Sequence, residues 1–308
     1  MKKLNLSIYN LLTFLILSIG CFNLTSCLSS SDPGAAARDA NAATIKEYVA
    51  KNNLVGTYNK SKIVDNVEFF YTKQRAGFGT MVKATDAVEI SYAIYNLEGL
   101  KLAVSNSYIF NPNTGAFFAG LVDGVLLMQS GEKGRFVLPS LLAFGGGVTN
   151  IGGVNVPANS VIMVDVEVIA ARTETEQQAY EMQRIKNYIR SKNQVITKET
   201  EGVVYVRTVE AASPAPVPTN TTITLNYVGK LLDGTIFDQN TSGFSFYNSP
   251  SNPSASRVIT GWVTGVNMMQ MGETGIVYVT SKEAYGARGS SPKIAPYAPL
   301  FFELSNLQ

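Results

Sequence analysis

Short stretches of two-residue periodicity alternate along the chain with stretches repeating every three or four residues. Val88-Glu89-Ile90-Ser91-Tyr92 and Ile223-Thr224-Leu225-Asn226-Tyr227 alternate apolar and polar positions, the pattern of half-buried strands. Met182, Ile185 and Ile189 fall at i, i+3 and i+7, with Thr173 and Glu176 at capping-box spacing ahead of them. This predicts a helix from residue 173 to Asn193. Trp262, Val266 and Met269 predict a short helix within residues 261–272, and Leu121, Val125 and Met128 predict another within 120–131. The proline-rich stretch 211–218 reads as a loop, because proline has no N–H for a sheet ladder.

These elements recur. Ile45-Lys46-Glu47-Tyr48-Val49 returns as Ile185-Lys186-Asn187-Tyr188-Ile189, 140 residues later. Tyr92 with Leu97-Glu98-Gly99 returns as Tyr227 with Leu232-Asp233-Gly234. Gly120-Leu121-Val122 and Met128-Gln129-Ser130-Gly131-Glu132 return as Gly261-Trp262-Val263 and Met269-Gln270-Met271-Gly272-Glu273, an offset of 141. The same order at a near-constant offset marks a duplication. Each copy is a leading helix, strands, one short central helix and further strands, so the fold class is α+β.

Composition narrows the chemistry. The 308 residues include no histidine, which removes histidine triads, histidine metal sites and histidine pH switches. Both cysteines, Cys21 and Cys27, lie near the N-terminus, so nothing beyond them offers a disulfide, a zinc–cysteine cluster or a thiol nucleophile. No metal or cofactor is expected. Lysine and arginine number 25 and the acids 23; with Lys2 and Lys3 set aside the body is neutral, without the cationic surplus of a nucleic-acid binder.

Residues 1–26 read as an export signal: Lys2 and Lys3 precede the apolar run Leu11-Leu12-Thr13-Phe14-Leu15-Ile16-Leu17-Ser18-Ile19. Leu24-Thr25-Ser26-Cys27 resembles a bacterial lipobox, which implies cleavage before Cys27 and a diacylglycerol on its sulfur. Ordinary cleavage near Ala35-Ala36-Ala37 is the competing reading. Residues 27–43 are expected to be a flexible tether, 44–172 the first module and 173–308 the second. Leu28 after the cysteine is compatible with outer-membrane sorting. The expected location is therefore the cell envelope, as an outer-membrane lipoprotein facing the periplasm or the cell surface. The oligomeric state stays open.

From about Thr222 onward the second module resembles the FKBP family of peptidyl-prolyl cis–trans isomerases. The resemblance rests on Asn226-Tyr227-Val228-Gly229, Leu232-Asp233-Gly234-Thr235-Ile236-Phe237-Asp238, Val258-Ile259-Thr260-Gly261-Trp262, Ala284-Tyr285-Gly286-Ala287 and Pro299-Leu300-Phe301-Phe302-Glu303-Leu304. It implies two tandem modules, each a curved antiparallel sheet around a short helix, with a cleft between them. It assigns the cleft wall to Tyr227, Phe237, Phe244, Val258, Ile259, Tyr285 and Phe302, the floor to Trp262 and the polar rim to Asp238. The backbone N–H of Ile259 and the Tyr285 hydroxyl would bind substrate carbonyls. The implied partners are X–Pro segments of exported proteins, and the implied role is to assist their folding.

Such chemistry needs no histidine. An X–Pro bond turns over a barrier of about 18–20 kcal/mol, in roughly tens to hundreds of seconds, without bond cleavage. A dry aromatic cleft favours the twisted, less polar amide over the planar one. About 5–7 kcal/mol of that preference would supply roughly 10⁴–10⁵ in rate.

Two departures from the family bear on substrate choice: the insertion Asn248-Ser249-Pro250-Ser251-Asn252-Pro253, and a different loop over 287–296 with Arg288 and Lys293 near the rim. The first module keeps the framework and Tyr92 but carries Leu102-Ala103 for the Phe-Asp pair, Leu121 for the floor and Phe144 for the rim tyrosine. Met163 is expected in place of the final phenylalanine, and Phe117-Phe118 in place of Val-Ile. This copy is expected to be silent. A non-catalytic subunit that holds extended peptides, or a nutrient-capturing surface lipoprotein, are the alternatives.

Overall fold

The computed structural model describes residues 34–115 and 118–308. Cys27 and Phe117, both singled out above, lie outside the described residues. Helix α1 (Ala35–Lys51) begins well before residue 44, so residues 35–43, where a tether was expected, are helical. Its first turns are rich in alanine, the strongest helix former. Asn41 also docks it: its amide donates to the Asn159 carbonyl at 2.9 Å and accepts the Ser140 N–H at 2.7 Å.

The first module continues with β1 (Thr57–Lys60), β2 (Glu68–Arg75), β3 (Ala87–Asn96), β4 (Lys101–Phe110), α2 (Ala119–Val125), β5 (Lys133–Leu138), the hairpin β6 (Thr149–Ile151) and β7 (Val154–Val156), and β8 (Ile162–Arg172). Its antiparallel sheet has the order β1-β2-β5-β8-β3-β4. The second module is α3 (Glu174–Ser191), β9 (Lys198–Thr200), β10 (Val203–Val209), β11 (Thr221–Leu231), β12 (Ile236–Asn248), α4 (Thr260–Met268), β13 (Thr274–Val279) and β14 (Leu300–Ser305). Its order, β12-β11-β14-β13-β10-β9, is the first read from the other edge, so the duplication extends to topology.

Each sheet is apolar on both faces. The inner faces pack on α2 and α4, whose Leu121, Val125, Trp262 and Val266 are buried; Met128 and Met269, expected on the same helices, are buried just past their ends. The approach is close enough to demand glycine: a Cβ on Gly124 would sit 2.6 Å from the Phe136 ring. The outer face of the second sheet takes Ile185 and Ile189 of α3 against Val204, Val206, Ile276, Tyr278 and Phe301. The capping box forms in full, with Glu176 N–H donating to Thr173 Oγ1 at 3.3 Å and Thr173 N–H to Glu176 Oε2 at 2.8 Å.

Buried polar groups repeat as well. Glu132 accepts from the Tyr71 hydroxyl and pairs with Lys73 at 3.1 Å; Glu273 accepts from Tyr205 at 2.8 Å and pairs with Arg207 at 3.2 Å. In α3 the counterpart of Asn41 is Glu181, which accepts the Ser281 N–H at 2.6 Å and its hydroxyl at 2.8 Å. Glu181 is fully buried, and desolvation raises its pKa despite those donors.

Candidate active site

The second module brings its aromatic residues onto one side of the sheet. Tyr227 on β11 pairs with Asn240 of β12, and two rungs along Gly229 pairs with Asp238 on one side and Phe302 of β14 on the other. Alternation along strands turns Tyr227, Phe244 and Phe302 toward α4, and the register shift at Gly229/Lys230 brings Phe237, beside Asp238, onto the same core. Trp262 stands in the first turn of that helix, buried beneath them. Its indole lies 4.9 Å from the rings of both Tyr227 and Phe302, and 5.9 Å from Phe244, edge-on in each case. Phe237 meets Phe302 edge-on at 5.7 Å. Edge-to-face pairs of this kind each add about 0.5–1.5 kcal/mol beyond area burial. The indole N–H is buried with no hydrogen-bond partner among the described residues.

The polar groups sit at the mouth. The Tyr227 hydroxyl donates to Asp238 Oδ2 at 2.7 Å, and the Gln239 N–H donates to Asp238 Oδ1 at 3.0 Å. Burial, then the bond to Asp238, pushes the Tyr227 hydroxyl well above the usual tyrosine range, so it stays a proton donor. Tyr285 is 38% exposed, and its hydroxyl is raised by burial and then by the charge of Asp238. Ile259 caps α4 in an extended conformation; its carbonyl accepts the Trp262 backbone N–H at 3.1 Å. Val258 and Ile259 are half-buried against the same core. Lys293 reaches over from the 287–296 loop and donates to the Phe237 carbonyl at 2.8 Å, while Ile294 is buried among the cleft aromatics.

The nine residues expected at this cleft therefore converge. Two contributors were not anticipated. Phe246 lies 6.1 Å from Trp262, and its place two residues after Phe244 on one strand was a readable sign that both share a face. Gly229 is the other: a Cβ there would be 2.7 Å from the Phe237 ring and 3.1 Å from that of Phe302. A glycine inside a strand marks such close approaches.

At the matching place the first module is filled. Ile94 stands where Gly229 does, opposite Ala103 and Val164, so Val164 rather than Met163 replaces Phe302. Met163 is one residue out of register and points to the outer cluster with Ile45, Phe70 and Val137. Tyr108 and Phe110 occupy the positions of Phe244 and Phe246, and Leu121 that of Trp262. Phe118 caps α2 as Ile259 caps α4, and meets Phe144, the counterpart of Tyr285, at 5.7 Å. A separate cavity of about 680 Å³ opens beside α1 near Tyr48, Tyr95 and Arg135. There the guanidinium is committed to Asp165 by bonds of 2.6 and 2.9 Å.

Taken together, these features define a duplicated antiparallel-sheet protein whose second copy gathers an aromatic cluster around Trp262, with polar groups at one edge. The chain belongs to the FKBP-type peptidyl-prolyl cis–trans isomerase family, whose model matches residues 79–169 and 214–305. It is 36% identical over 87 residues to FK506-binding protein 1 of Dictyostelium discoideum, covering 28% of this chain and 79% of that one. It is 32% identical over 96 residues to the Outer membrane protein MIP of Legionella longbeachae, covering 31% of this chain and 40% of that one. The crystal structure of the three FKBP domains of wheat FKBP73 matches 81% of this chain and 97% of its own, at 20% identity and a TM-score of 0.35. Against three bacterial relatives the chain spans between 29% and 51% of their length.

Proposed function

We propose that the second module is a peptidyl-prolyl cis–trans isomerase and that the first is catalytically silent. The observation that carries this is the Trp262 floor framed by Tyr227, Phe244 and Phe302, with Asp238 and Tyr285 at its mouth. A proline ring seats on the indole. The N–H of Ile259 and the hydroxyl of Tyr285 fix the flanking carbonyls, and the apolar walls favour the twisted amide, whose C–N resonance is lost. No proton leaves the substrate, so only positioned donors and a dry wall are required. The replacement of Asp238 and Trp262 by Ala103 and Leu121 supports silence of the first cleft.

The substrates proposed are X–Pro segments of exported proteins, with the chain held at the envelope by a lipid on Cys27. The lipobox-like Leu24-Thr25-Ser26-Cys27 supports the anchor, and the similarity to a protein called Outer membrane protein MIP supports the location. The modules are taken to divide at Thr173, with α1 belonging to the first. A second reading, a module that holds peptides without turning them over, is favoured by the filled first cleft.

The deciding experiment follows proline cis–trans exchange in a short X–Pro peptide with the folded chain, with Asp238→Ala and with Trp262→Ala. Acceleration that falls in both variants establishes the enzyme and its site. An unaccelerated peptide that still binds leaves the holding function. Retention of a lipid label in Cys27→Ala would remove the anchor.

A further inference from the structure

The insertion 248–253 in the second module has a use that the aromatic cleft does not explain. After it the chain makes a single 3₁₀ turn (Pro253–Ser256) and enters Arg257 in the left-handed region, at φ 54° and ψ 26°. An arginine in that region is uncommon, and such conformations persist where surrounding structure requires them. Ser249 N–H to Ser256 Oγ, 3.2 Å, ties the two ends of the turn inside the protein. The result is a cavity of about 440 Å³ lined by Pro253, Ser254, Arg257, Ile259, Thr260 and Tyr285 among others. The insertion thus builds a wall against the two residues proposed to bind the peptide carbonyls.

One cation, Arg257, lines that cavity, and no acid does. Arg257 is exposed and makes no ion pair among the described residues; the same holds for Arg288, three residues beyond Tyr285. Neither acid of the neighbouring elements, Asp238 or Glu283, lines the cavity, and Asp238 is engaged by the Tyr227 hydroxyl. Since the body of the chain is neutral overall, a cavity lined by one cation and no acid is a local arrangement. Resting on the isomerase reading of the cleft, we infer that the cavity at Arg257 is a substrate subsite selecting an acidic side chain near the proline. Arg257 precedes Ile259 by two residues, so the acid stands about one or two positions from the proline, each spanning roughly 3.3–3.6 Å of extended chain. A guanidinium accepts a carboxylate through paired N–H donors, which a lysine in the substrate cannot use.

The test uses the full chain and a set of short peptides with glutamate, glutamine or lysine one or two positions from the proline, on either side, at low and at high salt. The glutamate peptide in the favoured position should show a kcat/KM about fivefold above its lysine counterpart at low salt, as one partly exposed charge pair supplies, and salt should shrink the gap. Arg257→Ala should level the series with the glutamine peptide little changed, and Arg257→Glu should invert it. A preference that survives Arg257→Ala, or an even rate across all peptides, overturns the subsite while leaving the isomerase intact. No acceleration of any peptide overturns the isomerase reading and this inference with it.

Discussion

Gly229 and Ile94 stand on the same rung of their two sheets, each opposite the third residue of the closing strand, Phe302 in one case and Val164 in the other. The absence of a side chain at Gly229 leaves room for the rings of Phe237 and Phe302. At Ile94 the same space is taken by the residue itself, buried to 2% exposure beside Leu102. At this position the second copy gives its space to two rings and the first to its own side chain.

Adding one methyl group at that position should therefore close the second cleft. Gly229→Ala places a Cβ 2.7 Å from the Phe237 ring, so the ring must turn into the space a proline would use. We expect kcat/KM for an X–Pro peptide to fall by roughly tenfold or more, with about 1–3 kcal/mol lost to overpacking. Unchanged exchange in a folded variant would show that Phe237 does not bound the proline site.

Trp262 is the sole tryptophan of the chain, so its emission reports the second cleft alone. Titration with an X–Pro peptide should change the emission, and Trp262→Leu, which copies Leu121 of the first module, should abolish binding. If the leucine variant binds the peptide with wild-type affinity in calorimetry, Trp262 is not the floor of the binding site.

The bond from Tyr227 to Asp238 has a pH signature. Burial and the neighbouring carboxylate raise the hydroxyl above its usual value of 10.0, so it should ionise after an exposed tyrosine in an ultraviolet titration. Tyr227→Phe should remove that late-titrating hydroxyl and lower kcat/KM about threefold to tenfold, the size of one hydrogen bond of about 0.5–1.5 kcal/mol. Identical titration curves for the two proteins would contradict the buried donor.

Glu181 ties α3 to the turn that leads into Tyr285, and its raised pKa fixes the sign of a stability effect. A carboxyl group whose folded value lies above its unfolded value contributes stability that is present below about 4.5 and lost as pH rises through the folded value. Relative to Glu181→Gln, the wild type should therefore lose stability as the solution is made less acidic. Denaturant midpoints measured across that range check this, and parallel curves would sink it. Asn41, the neutral residue making the matching bond to Ser140, is the natural precedent within the same chain.

Much of this was open to a reader of the sequence. Helix periods, the capping box at Thr173 and Glu176, and the two-residue alternation over 88–92 and 223–227 are local properties that a strand or helix converts directly into a face. The duplication was legible because both copies keep the same spacing between their buried positions. Where the reading went astray, a longer-range fact intervened. Helix α1 starts in an alanine-rich stretch, and Asn41 docks it on partners about a hundred residues away. Met163 and Val164 adjoin in the chain, and only the pairing of β8 with β3 shows which of them faces the cleft.

Spacing along single strands and helices was enough to read two copies of one α+β module, whereas the aromatic set of the second copy was read from its resemblance to a family. Tertiary structure alone decided that Tyr227 and Asp238 meet, that Lys293 holds the Phe237 carbonyl, and that the inserted turn sets Arg257 beside Ile259 and Tyr285. Those relations depend on register between strands and on how loops fold back over the sheet. Neither is encoded in any one segment; both are set when distant apolar faces are buried against each other.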